Sequence, residues 1–209
     1  TLSVTYQVVE TPAPPALIVT EIAPWSSGNS PVVAADWFEV TNVSANPVEI
    51  TGWRVDDSGP TFATAIALNG ITRIAPGESV IFLESSTSTP AATVVANFKS
   101  VWFGANVPAG LQVGTYQGAG IGLSTGGDAL NLYNAAGVLH SSVTFGASGA
   151  TSPYQTFDNT AALNNATVSR LSVAGENGAF VAANSATEIG SPGYSAPEVL
   201  RVTEVAAWS

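Results

Sequence analysis

Apolar and polar residues alternate with a period of two along much of this chain, and turn-forming residues interrupt the alternation at short intervals. Residues 1–10 (TLSVTYQVVE) set Leu2, Val4, Tyr6 and Val8 on one face and Ser3, Thr5 and Gln7 on the other, the pattern of a strand. Thr11-Pro12-Ala13-Pro14-Pro15 then ends it, because proline fixes φ and has no N–H to give to a sheet. Residues 11–16 therefore predict a semi-rigid linker that holds the leading strand away from the rest of the chain. Beyond it come runs rich in β-branched and aromatic residues: Leu17 to Ala23, Asp36 to Thr41, Val48 to Ile50, Trp53 to Val55, Ser79 to Glu84, Ala129 to Tyr133, Val138 to Phe145 and Thr167 to Val173. Asn46-Pro47, Thr51-Gly52, Ser58-Gly59-Pro60 and Pro76-Gly77 punctuate them, and Asn134-Ala135-Ala136-Gly137 has the form of a hairpin loop. Short strands at this spacing predict an all-β sandwich or barrel.

One stretch has a different period. Ser88-Thr89-Pro90 precedes AATVVANFKSVWF, in which Val94, Val95, Phe98, Val101 and Trp102 fall at helical spacing. A Ser/Thr cap and a Pro at the first turn predict one short amphipathic helix near residues 89–102, covering a sheet edge.

Composition narrows the class. The chain has 209 residues, 45% hydrophobic and 10% charged, where soluble domains average about 25% charged. Eight Phe, five Tyr and five Trp supply a core, which argues against disorder. Five Lys and Arg against fifteen acids, a net charge of −10, exclude a nucleic-acid partner, since phosphate neutralisation needs clustered cations. No apolar run reaches the ~18–20 residues of a membrane span, so no membrane insertion is expected. The absence of Cys removes disulfides, thiol nucleophiles and Cys-ligated zinc. The absence of Met reads as a processed product or a piece of a longer polypeptide.

The two ends of the chain carry the same motif. Residues 13–26 are APPALIVTEIAPWS and residues 196–209 are APEVLRVTEVAAWS, nine of fourteen positions identical at an offset of 183. A period of that size marks tandem whole domains rather than a solenoid of short repeats. The expected organisation is a strand at 1–10 from or for a neighbouring unit, a linker at 11–16, one unit over 17–195, and the start of the next repeat at 196–209.

The repeated motif belongs to a wider pattern. VTEI (19–22), DWFEVTN (36–42), VEITGWRVDD (48–57) and IAPGESVIF (74–82), then LSTGGDALNLYNAAGVLHSSVTFG (123–146) and GSPG (190–193), occur in the order found in lamin-tail domains. The chain resembles that family over most of residues 17–193, with Ser88 to Gly120 resembling an insertion. The resemblance implies an immunoglobulin-like β-sandwich. In nuclear lamins the family's domain is an interaction module. In bacteria, related domains are appended, often in tandem, to secreted or surface proteins including nucleases, phosphatases and phytase-like esterases. None of these motifs is catalytic, and a fold cannot supply chemistry its residues do not show.

Four constellations bear on chemistry. Gly122-Leu123-Ser124-Thr125-Gly126 matches a nucleophile elbow with Asp128 and His140 following, but an elbow needs a strand-to-helix turn, and here the chain runs into another strand. His140 is the only His, so transition-metal sites lack ligands. Calcium, which takes hard oxygen ligands and tolerates irregular geometry, has candidates in Glu21, Asp36, Glu39, Asp56 and Asp57, whose alternative is to be turn-forming or solvated carboxylates. Trp25, repeated as Trp208, follows the first strand beside Ser26-Ser27-Gly28-Asn29 and suits either packing between units or stacking on a glycan. Trp37 and Trp53 read as core aromatics, Gly52 as a turn residue with φ > 0. Asn42-Val43-Ser44 and Asn165-Ala166-Thr167 match glycosylation acceptors, a pattern common by chance.

Together these features lead to the expectation of a non-catalytic structural or interaction repeat module of a long secreted or cell-surface protein, bacterial in origin and without cofactor. Its partners would be neighbouring units or a homo-assembly, joined into filaments by strand exchange through Leu2, Val4, Tyr6 and Val8. The competing expectations are an accessory domain of a large extracellular hydrolase (phosphatase, nuclease or phytase-like esterase) and a carbohydrate-binding module.

Overall fold

The computed structural model describes residues 15–25, 32–148, 152–158 and 167–194. The expected strand at 1–10, with Leu2, Val4, Tyr6 and Val8, and the second motif at 196–209, with Trp208, lie outside them. Among the described residues the chain runs β1 (Leu17–Ala23), β2 (Trp37–Asn42), β3 (Val48–Glu49), β4 (Arg54–Asp56), β5 (Ile66–Ala67), β6 (Arg73–Ile74), β7 (Ser79–Ser85), α1 (Ala91–Phe103) and β8 (Val113–Gln117). It continues through β9 (Asp128–Tyr133), β10 (Leu139–Phe145), β11 (Tyr154–Gln155), β12 (Phe157–Asp158), β13 (Thr167–Val168), β14 (Arg170–Leu171), β15 (Phe180–Val181) and β16 (Glu188–Gly190).

A six-stranded sheet, β14-β12-β1-β2-β7-β8, faces a five-stranded sheet, β13-β10-β9-β4-β5. This is an all-β, immunoglobulin-like sandwich with one short helix. The main core lies between the sheets: Leu17, Val19, Ile22, Phe38, Val40, Val80 and Phe82 meet Val55, Leu130, Leu132, Val143 and Phe145. These are the alternate positions of each strand, as period two demands. Trp53 is buried in the same core, and Gly52 before it holds φ +78°.

Both corners of the sandwich are closed. The run Thr167 to Val173 is not one strand: β13 joins β10 in one sheet, and after Ser169 the chain crosses to pair β14 with β12 in the other. At the opposite corner Asn69, just past β5, exchanges two 2.9 Å backbone bonds with Thr115 of β8.

The helix forms where the 3.6-residue pattern placed it, but it covers a sheet face instead of an edge. β7 and β8 pair in parallel, with Ile81 opposite Val113, and a parallel pair needs a crossover. That crossover is α1. It lays Val94, Phe98, Val101 and Trp102 on the outer side of the six-stranded sheet, against Ala23, Trp25, Trp37, Ile81 and Leu83. The outward positions of β1, β2 and β7 are apolar at this end, so this second core is as dry as the first. The helix also lacks the expected Ser/Thr cap: Pro90 is the N-cap residue and makes no side-chain bond, while Ser86 Oγ accepts from Thr89 N three residues later. Below the helix, a three-stranded sheet, β11-β16-β15, adds Tyr154, Phe180 and Ala182 to the same cluster.

Candidate functional site: a buried carboxylate row under a backbone clasp

Past the tryptophans, the outward face of the six-stranded sheet turns polar. Trp37, Glu39 and Thr41 alternate along β2, and a bulge between Val19 and Glu21 of β1 sets Glu21 opposite Glu39. On its other side Glu21 faces Asp158 of β12. Three carboxylates therefore stand in a row across adjacent strands, with Glu21 and Glu39 fully buried and Asp158 nearly so. Like charges directly opposite each other destabilise a sheet, so donors must converge on them.

The donors come from a distant part of the chain. The turn after β16, the Gly190-Ser191-Pro192-Gly193 segment, lies over the row. Ser191 N donates to Glu21 Oε1 at 2.7 Å, and Gly193 N donates to Glu39 Oε2 at 2.6 Å. Thr156 Oγ1 adds a second bond to Glu21 Oε1 at 2.5 Å and shares a bond with Ser172 Oγ. Thr20 Oγ1 donates to Glu39 Oε1 at 2.6 Å and continues through Thr41 to Ser79 in a chain of hydroxyls. Asn177 Nδ2 reaches Asp158 Oδ2 at 3.0 Å. Gly190 is required by the closeness of this clasp: a Cβ there would stand 2.7 Å from Glu21 Oε1 and 2.9 Å from Thr156.

The two carboxyls are bonded unequally. Glu39 accepts with both oxygens, whereas Glu21 takes both donors on Oε1 and leaves a buried Oε2 with no partner. Burial, opposed by the bonds from Thr156 and Ser191 and reinforced by Asp158, pushes Glu21 up to about 8. Burial and then the Glu21 charge hold Glu39 well above the usual carboxylate range. Such a site stores a proton and locks two remote segments together. It presents no open face to a substrate.

Of the five carboxylates weighed for calcium, Glu21 and Glu39 converge, with Glu21 Oε1 and both Glu39 oxygens bonded to the clasp and the threonine hydroxyls. Asp36 Oδ2 accepts from Leu123 N at 2.8 Å, and Asp56 Oδ2 from Thr61 N at 2.9 Å and Thr64 Oγ1 at 3.1 Å. Asp57 leans on Gly59 N and Gly122 N at 3.4 Å each. Each aspartate ties a loop to the sandwich, and among the described residues no group of three or more His, Cys, Asp or Glu side chains is arranged to hold a metal ion.

Trp25 does not lie on the surface. Its ring is fully buried, stacked on Trp102 at 6.4 Å between centroids and edge-on to Trp37 at 6.1 Å, so it offers no platform to a sugar. The Ser124, Asp128 and His140 trio is scattered. Asp128 sits opposite Phe145 and takes the Ser124 N–H in a local turn, while His140 lies five residues back along β10, about 17 Å away. His140 Nε2 accepts from Leu17 N at 3.1 Å, a structural bond that burial favours by keeping the ring neutral. Asn42 is fully buried and its Nδ2 donates to the carbonyls of Asn46 and Ile74, which removes it as a glycan acceptor. Asn165 lies outside the described residues.

The residues missed from the sequence are Thr156, Asp158, Ser172, Ser191 and Gly193. Their signal was the GSPG block, recognised as a motif without a role. Its role is to seal the Glu of VTEI and the Glu of DWFEVTN, so three of the blocks that carry the resemblance meet at one point.

The family model of the Lamin Tail Domain matches residues 10–147. Comparison with curated proteins and with solved structures returned no match. The matched segment holds both sheets' central strands and both glutamates; beyond it, β12 and β14 complete the six-stranded sheet, β13 completes the five-stranded one, and β11, β15 and β16 form the three-stranded sheet. The chain belongs to the lamin tail domain family.

Proposed function

We propose that this chain is a non-catalytic structural and interaction repeat module of a longer secreted or cell-surface bacterial protein. The observation that carries the reading is the fate of its polar chemistry: the carboxylates and the histidine weighed as functional groups hold internal bonds that close the fold. The family, one of immunoglobulin-like structural domains, supports the same reading. Ser124→Ala and His140→Ala are expected to leave any hydrolysis by the intact polypeptide unchanged; loss of activity in both would return catalysis to this chain.

The finer form of the proposal is assembly through residues 1–10. An amphipathic strand behind a proline-rich linker suits donation to a neighbour's sheet, with main-chain bonds giving affinity. Deleting residues 1–10 should abolish assembly, scored by light scattering, and leave the melting transition intact. Unchanged assembly would end this form of the reading. The rival reading, an accessory domain of an extracellular hydrolase, predicts a catalytic domain elsewhere in the polypeptide, which its intact mass and flanking sequence decide.

A further inference from the structure

Both points at which the chain joins this unit are held rigidly. At the leading side, Ala16 O accepts from Val43 N at 2.9 Å and Leu17 N donates to His140 Nε2 at 3.1 Å. At the trailing side, Gly193 N is bonded to buried Glu39, Tyr194 N closes a turn onto Ser191 O at 2.9 Å, and the Tyr194 ring lies directly against Gly178. Apolar side chains flank each point and stay exposed. Val43, Val138 and Leu139 surround the leading one, at 44%, 59% and 47% exposure. Tyr194 stands at the trailing one at 45%, with Val173 of the neighbouring turn at 44%.

The repeat motif sets the distance between such points. With an offset of 183, the counterpart of Ala16 is Val199, so Ser195, Ala196, Pro197 and Glu198 alone separate the two anchored positions. Five residue steps span at most about 18 Å. A unit of that size has a radius of gyration of about 16 Å, so the tether is shorter than one unit is wide. Pro197 stiffens it further. Neighbours on such a tether meet at millimolar effective concentration, and apolar faces at the two tether points come within reach of each other.

We propose that consecutive units pack head to tail, the leading face of one (Val43, Val138, Leu139) seated on the trailing face of the one before it (Val173, Tyr194). The occupant of each face is a second copy of this fold. The contact is heterologous: every unit carries both faces, so the same contact repeats from unit to unit along the polypeptide. The inference rests on the tandem organisation proposed for the polypeptide and adds to it a surface and an orientation.

The test uses the natural polypeptide spanning two adjacent units, with its tumbling time measured by NMR relaxation. The pair should tumble as one body of twice the mass. Val138→Ser with Leu139→Ser in the following unit, or Val173→Ser in the preceding one, should shorten the tumbling time toward that of one unit. The same exposed-site variants should leave the melting temperature of a single unit unchanged, which separates lost docking from lost folding. Two units that tumble independently, or variants that change nothing, overturn the packing and leave the tandem organisation standing. A polypeptide with no second unit overturns both.

Discussion

Glu21 shows how much of a residue's meaning lies in what covers it. In an alternating strand a glutamate at an outward position reads as a solvated group or a metal ligand. Here the outward face is roofed by a turn 170 residues away, and Glu21 is buried and protonated. Folding therefore takes up a proton. Stability is greatest when the unfolded chain is protonated too, and Glu21 lowers it by on the order of 5 kcal/mol as pH rises from 4.5 toward about 8. Below pH 6.5 the neutral, half-buried His140 works in the opposite direction, and Glu188, raised to about 6 by burial, adds its own loss there. The window from pH 6.5 to 8.5 isolates the pair: the melting temperature should fall as pH rises through it. Glu21→Gln keeps the acceptor oxygen for Thr156 and Ser191, so it should flatten that slope and raise the melting temperature at pH 8.5. An unaltered slope would show that the proton sits elsewhere. Gly190→Ala drives a methyl into Glu21 Oε1 and Thr156 and should cost about 1–3 kcal/mol in denaturant unfolding.

At the level of elements, periodicity located the long strands to within a residue or two, because a strand half-buried in a core must alternate. It did not resolve Thr167 to Val173, which changes sheets at Ser169, since both halves keep the same alternation. Nor did it place the helix. An amphipathic stripe says that a face is buried and not against what. The answer lies in outward residues of three strands, Ala23, Trp37 and Ile81, which a two-layer reading assigns to solvent. Trp102 joins them, packing on Trp25, Trp37, Phe98 and Phe180 with its Nε1 unpartnered. Trp102→Ala should therefore cost about 3–5 kcal/mol. Trp102→Phe should cost much less, because it also removes a buried N–H that has no acceptor. Denaturant midpoints of the two variants compare them directly, and equal losses would mean the indole N–H is satisfied in solution.

For the whole molecule, the six-stranded sheet and the segment after β16 join at the carboxylate row. The last described segment, Glu188 to Tyr194, seals the first two strands, so the fold's ends are tied through two buried glutamates. The bonds already made by Glu39, Asp36 and Asp56 predict indifference to calcium: millimolar CaCl2 should leave the melting temperature where it is, since ion-linked stabilisation would first have to break them. A rise of several degrees would require the aspartate loops to reorganise around the ion. The fold class, most of the longer strands, the helix and the family were legible in local order, because period, turn residues and short motifs act between neighbours in sequence; β5, β8, β11, β12, β15 and β16 were not. The bland reading of Ser124, Asp128 and His140 was legible for the same reason, since their turn-and-strand context is local. The burial of Trp25, the row of Glu21, Glu39 and Asp158, and the clasp that buries it came only with the tertiary structure. Burial and proton affinity depend on which distant segment closes over a side chain, and no spacing along the chain encodes that.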